Sequence, residues 1–171
     1  MPDCCIDNKW VVYAGLGGSG NKLWRVPLSG GSPEPVVEMF ARFPIISPDS
    51  SLVAFNYFGA PDPPRRGVAV VSSHGGLVMK RFDINNSDPS EPHVGFRPMG
   101  WTRDSRALLC LRDSQGVSNI WEQPRDGRPA AQVTHFEAGR IFSFAFSGDG
   151  KRLAVAKGSI TSDVILIRNV K

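Results

Sequence analysis

The chain has 171 residues, enough for one domain with a buried core. Apolar residues make up 41% and charged residues 21%, which excludes a disordered chain. The net charge of +4 comes without a Lys/Arg block, Arg65-Arg66 being the densest pair, so a nucleic-acid partner is not expected.

Gly (18) and Pro (14) are spread along the chain, and frequent turns favour short strands over long helices. Of the three cysteines, Cys4 and Cys5 are adjacent and poorly placed to pair with each other. No C-x-x-C occurs, and His74, His93 and His135 are distant in sequence from any cysteine. No metal site is expected, and the cysteines read as small strand residues. The N-terminus lacks a basic stretch followed by an apolar one, so it does not read as a signal peptide. No run of about 18 apolar residues exists, and no membrane insertion is expected.

In chain order, the first unit opens on Cys5-Ile6-Asp7-Asn8-Lys9-Trp10-Val11-Val12-Tyr13. Gly15-Leu16-Gly17-Gly18-Ser19-Gly20 follows and fits G-x-G-x-x-G. A dinucleotide loop needs a helix after it to hold the pyrophosphate. Here Lys22 to Pro27 reads as a strand ending in proline, so a loop between strands is expected, and no cofactor. Nor does Ser19 sit in a nucleophile elbow, since position 21 is Asn. Leu23-Trp24 belongs to the next strand, Ser29-Gly30-Gly31 to a hairpin turn, and Val36 to an outer strand.

The second unit repeats this order. Phe43 to Ile46 reads as a first strand. The turn and strand Ser47-Pro48-Asp49-Ser50-Ser51-Leu52-Val53-Ala54-Phe55 come next. Ser-Pro-Asp-Ser suits a type I turn, in which the short Asp side chain bonds nearby N–H groups. The apolar run after it suits a strand buried on both faces. His74-Gly75-Gly76 forms a second turn ahead of an outer strand near Val78. Two insertions lengthen this unit, at 59–66 and at 83–94, and both are expected to be loops. Asn85-Asn86-Ser87 in the second fits a glycosylation sequon.

The third unit has Pro98 to Trp101, then Thr102-Arg103-Asp104-Ser105-Arg106-Ala107-Leu108-Leu109-Cys110, Ile120-Trp121, Arg125-Asp126-Gly127 and an outer strand near Val133. His135 is expected on that outer strand. The fourth has Ile141 to Phe146, Ser147-Gly148-Asp149-Gly150-Lys151-Arg152-Leu153-Ala154-Val155, and a third strand at Val164 to Ile167. The turn aspartates Asp7, Asp49, Asp104 and Asp149 are 42, 55 and 45 residues apart. That is close to the roughly 40–45-residue period of four-stranded propeller blades. Their recurrence at equivalent places assigns them to turn structure rather than to acid–base chemistry or metal binding. No Ser, His and acid combination converges, so no catalytic residue is named.

The expected fold is all-β: a partial β-propeller of about four four-stranded antiparallel blades, not closed as a monomer. The approximate blades are 1–40, 41–95, 96–137 and 138–171, in one domain. The fourth lacks an outer strand. Three arrangements remain open: a fragment of a longer chain, an oligomer that completes the ring, or an open arc.

The Ser-Pro-Asp-Ser and Ser-Gly-Asp-Gly-Lys turns, each leading into an apolar strand, resemble the WD40-like repeats of TolB-type β-propellers. Gln132-Val133-Thr134-His135-Phe136 resembles the outer-strand ending of that family. The stretch from Phe142 to Lys171 is similar to the last blade of bacterial multidomain sensor kinases and regulators that carry such propellers. The resemblance implies a non-catalytic interaction or scaffold module with a protein partner, with family members often facing the periplasm or exterior. Its alternative is an accessory sensing or gating propeller of a multidomain kinase or serine peptidase. A propeller enzyme in its own right is a weaker third reading.

Overall fold

The computed structural model describes residues 3–7, 9–17, 20–61, 64–83, 98–147 and 150–159. These form 14 strands and no helix among the described residues. Sheet 1 runs β1 (Asp3–Ile6), β2 (Trp10–Gly17), β3 (Gly20–Pro27) and β4 (Glu34–Val37). Sheet 2 runs β5 (Ala41–Ile46), β6 (Leu52–Pro61), β7 (Pro64–Ser72) and β8 (Lys80–Asp83). Sheet 3 runs β9 (Pro98–Trp101), β10 (Ala107–Ser114), β11 (Val117–Pro124) and β12 (Ala131–Gln132). Sheet 4 has β13 (Arg140–Phe146) and β14 (Leu153–Gly158). Every sheet is an antiparallel meander in chain order, which is how propeller blades are built. The proposed third strand of the fourth unit, Val164 to Ile167, and the sequon at Asn85 lie outside the described residues, as does most of the 83–94 insertion.

Period-two alternation explains how the sheets stack. Successive side chains of a strand point to opposite faces. In β6, Val53, Phe55 and Tyr57 pack against Val12, Leu23, Val36 and Val37 of sheet 1. Their neighbours Leu52 and Ala54 pack the other way, against Trp101, Leu108 and Cys110 of sheet 3. In sheet 3, Leu109 and Ile120 then turn to Ile141, Phe144, Leu153 and Val155 of sheet 4. A strand covered on both faces reads as a continuous apolar run, which is why Leu52 to Tyr57 and Ala107 to Cys110 are buried throughout. The core is therefore three layers between four blades. Trp101 fastens one of them, its Nε1–H donating to the Ile45 carbonyl of sheet 2 at 3.2 Å.

Three expectations need correction. The insertion at 59–66 is not an irregular loop. It extends the β6–β7 hairpin, with Phe58 opposite Arg66 and Pro61 opposite Pro64. The Gly15–Gly20 stretch is also a hairpin rather than a flexible loop, with β2 and β3 paired out to Gly17 opposite Gly20. Alternating glycines leave strand pairing possible while the second strand, which supplies no helix N-terminus, follows at once. His135 lies past β12, in the segment that leads to β13, because the ladder to β11 ends at Ala131–Gln132 and Val133 N–H donating to Ile120.

Candidate interaction surfaces

In units 1, 2 and 3 the Asp-containing turn lies at the same end of its sheet as the turn between the third and fourth strands. A single backbone bond welds the two: Leu28 N–H to Lys9 O (2.7 Å), Ser73 N–H to Ser51 O (2.9 Å) and Arg125 N–H to Arg106 O (3.0 Å). The turns of units 2, 3 and 4 share one hydrogen-bond plan. The N–H of Ser47, Thr102 and Ser147 bonds the carbonyl five residues on, at 2.9, 2.9 and 2.8 Å. The N–H three residues on, at Ser50, Ser105 and Gly150, returns to the carbonyls of the same residues. The hydroxyl at the first position accepts from the N–H of Leu52, Ala107 and Arg152, at 2.9 Å in all three. The aspartate recurs in all four copies, but it is the hydroxyl that closes the turn in these three; its mark in the sequence is Ser, Thr and Ser at positions 47, 102 and 147, where the first copy has Cys5.

The carboxylate completes the turn where it is described. Asp49 Oδ1 accepts from the hydroxyls of Ser47 (2.6 Å) and Ser51 (2.8 Å) and from Ser51 N–H (3.1 Å). Asp104 Oδ1 accepts from Thr102 (2.7 Å) and Arg106 N–H (3.1 Å). The Ser47 hydroxyl bond, ahead of the Ser51 and Ser105 bonds, holds the Asp49 carboxyl down at about 2. The Thr102 hydroxyl and Arg106 N–H lower Asp104 in the same way.

Asp7 sits differently. It adopts the left-handed conformation itself, with φ 49°, whereas in the later units the residue after the aspartate does so: Ser50 and Ser105 at 59°, Gly150 at 71°. The first turn is tighter, with β1 ending at Ile6 and β2 starting at Trp10. Asp149 lies outside the described residues. The turns also link neighbouring units, since Asp7 N–H donates to Ser50 Oγ (3.4 Å) and Asp49 N–H to Ser105 Oγ (3.2 Å).

A groove of about 860 Å³ opens at the rim between sheets 1 and 2, lined by Val36, Val37, Met39, Leu77, Val78 and Met79. Its wall is a short strand edge partly closed by Gly76 N–H bonding Val36 O at 3.3 Å. Leu77 and Met79 are 92% and 64% exposed there. In unit 3 Asn119 fastens the segment after β12. Its side-chain oxygen accepts from Phe136 N–H (2.7 Å) and the Thr134 hydroxyl (3.0 Å), and its Nδ2 donates to Phe136 O (3.1 Å). This explains the Gln132–Phe136 motif: Thr134 Oγ1 in turn accepts from Ile120 N–H (2.9 Å).

Four-stranded meanders stacked face to face define a β-propeller segment. The described residues show no closed ring. Among solved structures the chain superimposes on TolB from Acinetobacter baumannii with TM-score 0.71, at 19% identity over 95% of this chain and 38% of that one. It superimposes on a TolB from Agrobacterium tumefaciens with TM-score 0.64, at 24% identity over 91% of this chain and 52% of the other. A chain of a nidogen/laminin complex matches with TM-score 0.62, at 12% identity over 91% of this chain and 55% of that one. The fold is thus TolB-like, and the chain spans between about a third and about a half of the length of these proteins. No protein-family model and no curated protein matches the sequence.

Proposed function

We propose that this chain is a non-catalytic interaction module: four units, at about 1–40, 41–95, 96–137 and 138–171, of a larger propeller whose partner is a protein. One observation carries this reading. Ala54 and Leu109, which face the following unit, are 0% and 4% exposed, whereas Ala154, at the same place in the fourth unit, is exposed. Its neighbour across one pleat, Ala156, is exposed too. A blade is stable when both faces are covered, so this surface suits a further blade, from a longer chain or a second copy. Unit 1 offers the complementary face, with Val11, Tyr13, Trp24 and Val26 on the side of β2 and β3 turned away from unit 2.

In this reading Asp7, Asp49, Asp104 and Asp149 serve turn structure. An Asp held at about 2 is a fixed hydrogen-bond acceptor at neutral pH, poorly suited to moving protons. The nidogen/laminin complex, a propeller-like match found in a protein assembly, supports a protein partner. Rigid blades carry recognition on their connections, which makes the 59–66 hairpin and the 83–94 insertion candidate contact elements. The test is affinity capture with the intact chain and with a variant shortened at both places. Partner loss on shortening supports the reading, and unchanged capture overturns the role of the insertions. Hydrolysis by the purified chain that disappears on removing one carboxylate overturns the non-catalytic assignment.

A further inference from the structure

The turn end of units 3 and 4 gathers charge that the sequence scatters. Arg103 and Arg106 lie on the Thr102–Arg106 turn, Arg125 and Arg128 on the turn after β11, and Lys151 and Arg152 on the turn into β14. All six are exposed. The Arg125 N–H to Arg106 O bond sets the first two turns side by side. Ser118 N–H donates to Gly139 O at 3.0 Å, at the far end of the sheets. Sheet 4 therefore runs alongside sheet 3, and its turn falls at the same end as the other two. Lys80 of unit 2 joins them, since a Cβ on Gly127 would lie 2.7 Å from its Nζ.

Carboxylates answer only part of this charge. Asp126 holds Arg128 at 2.8 Å, and Asp104 lies 3.9 Å from Arg106. Arg103, Arg125 and Arg152 have no carboxylate partner among the described residues. The corresponding turns of units 1 and 2 carry Lys9 as their cation between residues 7–9, 28–33, 47–51 and 73–79. By sequence, residues 102–106, 125–128 and 147–152 carry six cations against three aspartates.

We propose that this end of units 3 and 4 is the docking surface for an acidic segment of the protein partner, a proposal that rests on the interaction-module reading. Five of the six cations are arginines, whose planar fork grips carboxylates with two bonds and which are enriched in protein interfaces. In unit 3 the two turns are held by backbone hydrogen bonds, Ser105 N–H to Thr102 O and Arg125 N–H to Arg106 O, so the backbone that carries four of the arginines is set before binding. A nucleic acid fits less well. Residues 102–106, 125–128 and 150–152 contain no aromatic ring on which a base could stack.

The probe is a fluorescein-labelled twelve-residue peptide of alternating Glu and Ser, read by anisotropy against the intact chain at about 0.15 M salt. A single-stranded oligonucleotide of equal charge is the comparison. The variant Arg103→Ser/Arg125→Ser/Arg152→Ser should bind the peptide roughly tenfold more weakly. Lys9→Ser, at the same end of unit 1, should leave binding unchanged. Circular dichroism and thermal melting of both variants show that they fold. Equal weakening by Lys9→Ser, no binding by the wild type, or tighter binding of the oligonucleotide each overturns the proposal. Partner capture that persists in the triple variant overturns this docking surface while leaving the interaction module standing, so the two failures are separate.

Discussion

At the residue scale the turn hydroxyl carries more than its position suggests. Ser47 Oγ donates to Asp49 and accepts from Leu52 N–H while almost wholly buried. Ser47→Ala takes the hydroxyl acceptor from that N–H and removes one of the three hydrogen bonds to Asp49 Oδ1. It should cost about 1–2 kcal/mol in urea unfolding. The same change should raise the Asp49 pKa from about 2 towards its ordinary 3.8, read by carbon NMR of the carboxyl, because the Ser47 bond is the largest cause of the depression. Linkage gives the sign for stability. A carboxyl whose folded pKa is lowered stabilises the fold fully above the unfolded value of 3.8, and that contribution is lost as pH falls through about 2. Asp49→Asn should therefore flatten the acid limb of the stability profile between those values. A profile identical to wild type would refute the assignment.

At the element scale, close approach governs what a strand tolerates. A Cβ on Gly67 would stand 2.3 Å from Phe82 O and 2.6 Å from the Tyr57 ring. β7 is paired on both sides there, to Tyr57 and to Asp83, so neither neighbour can retreat. Gly67→Ala should cost about 1–3 kcal/mol in denaturant unfolding. Asn119 matters in another way. It fastens residues 134–136 with three hydrogen bonds, and the Phe136 ring also carries Lys157 at 4.3 Å. Asn119→Ala should release that segment, seen as faster amide exchange at Phe136 with the exchange of β6 unchanged. The hairpin turns were legible because Gly30, Gly75 and Gly127 stand where φ is 87°, 87° and 93°. The Asn119 clasp was not, since its partners lie 15 and 17 residues away with no period to mark them.

At the scale of the whole molecule, the open face of unit 4 sets the behaviour of the isolated chain. Small side chains at Ala154 and Ala156 meet solvent where other units are covered. The purified chain should self-associate in a concentration-dependent way through this face. Ala154→Arg should return it to a monomer in sedimentation velocity. A monomeric wild type would show that the face is not sticky enough to recruit a second copy.

Repetition made the blades readable from sequence. The Ser/Thr-x-Asp turn, the double-faced apolar run of β6 and β10 and the glycine hairpins are local, and they recur in the same order in successive units. Local chemistry fixes such features before any long-range contact forms. Three things waited for the tertiary structure. The 59–66 insertion pairs as a hairpin because its two arms lie opposite each other, which residue type alone does not register. Asp7 takes a tighter turn than its counterparts because β1 and β2 close over three residues instead of five. The six cations of units 3 and 4 lie at one end of their sheets because antiparallel strands return three separate turns to that end. The sequence determined which blades form, through periodic turns and alternating apolar residues. The stacking of those blades decided which faces stay open and where the charge collects, because both depend on contacts between segments tens of residues apart.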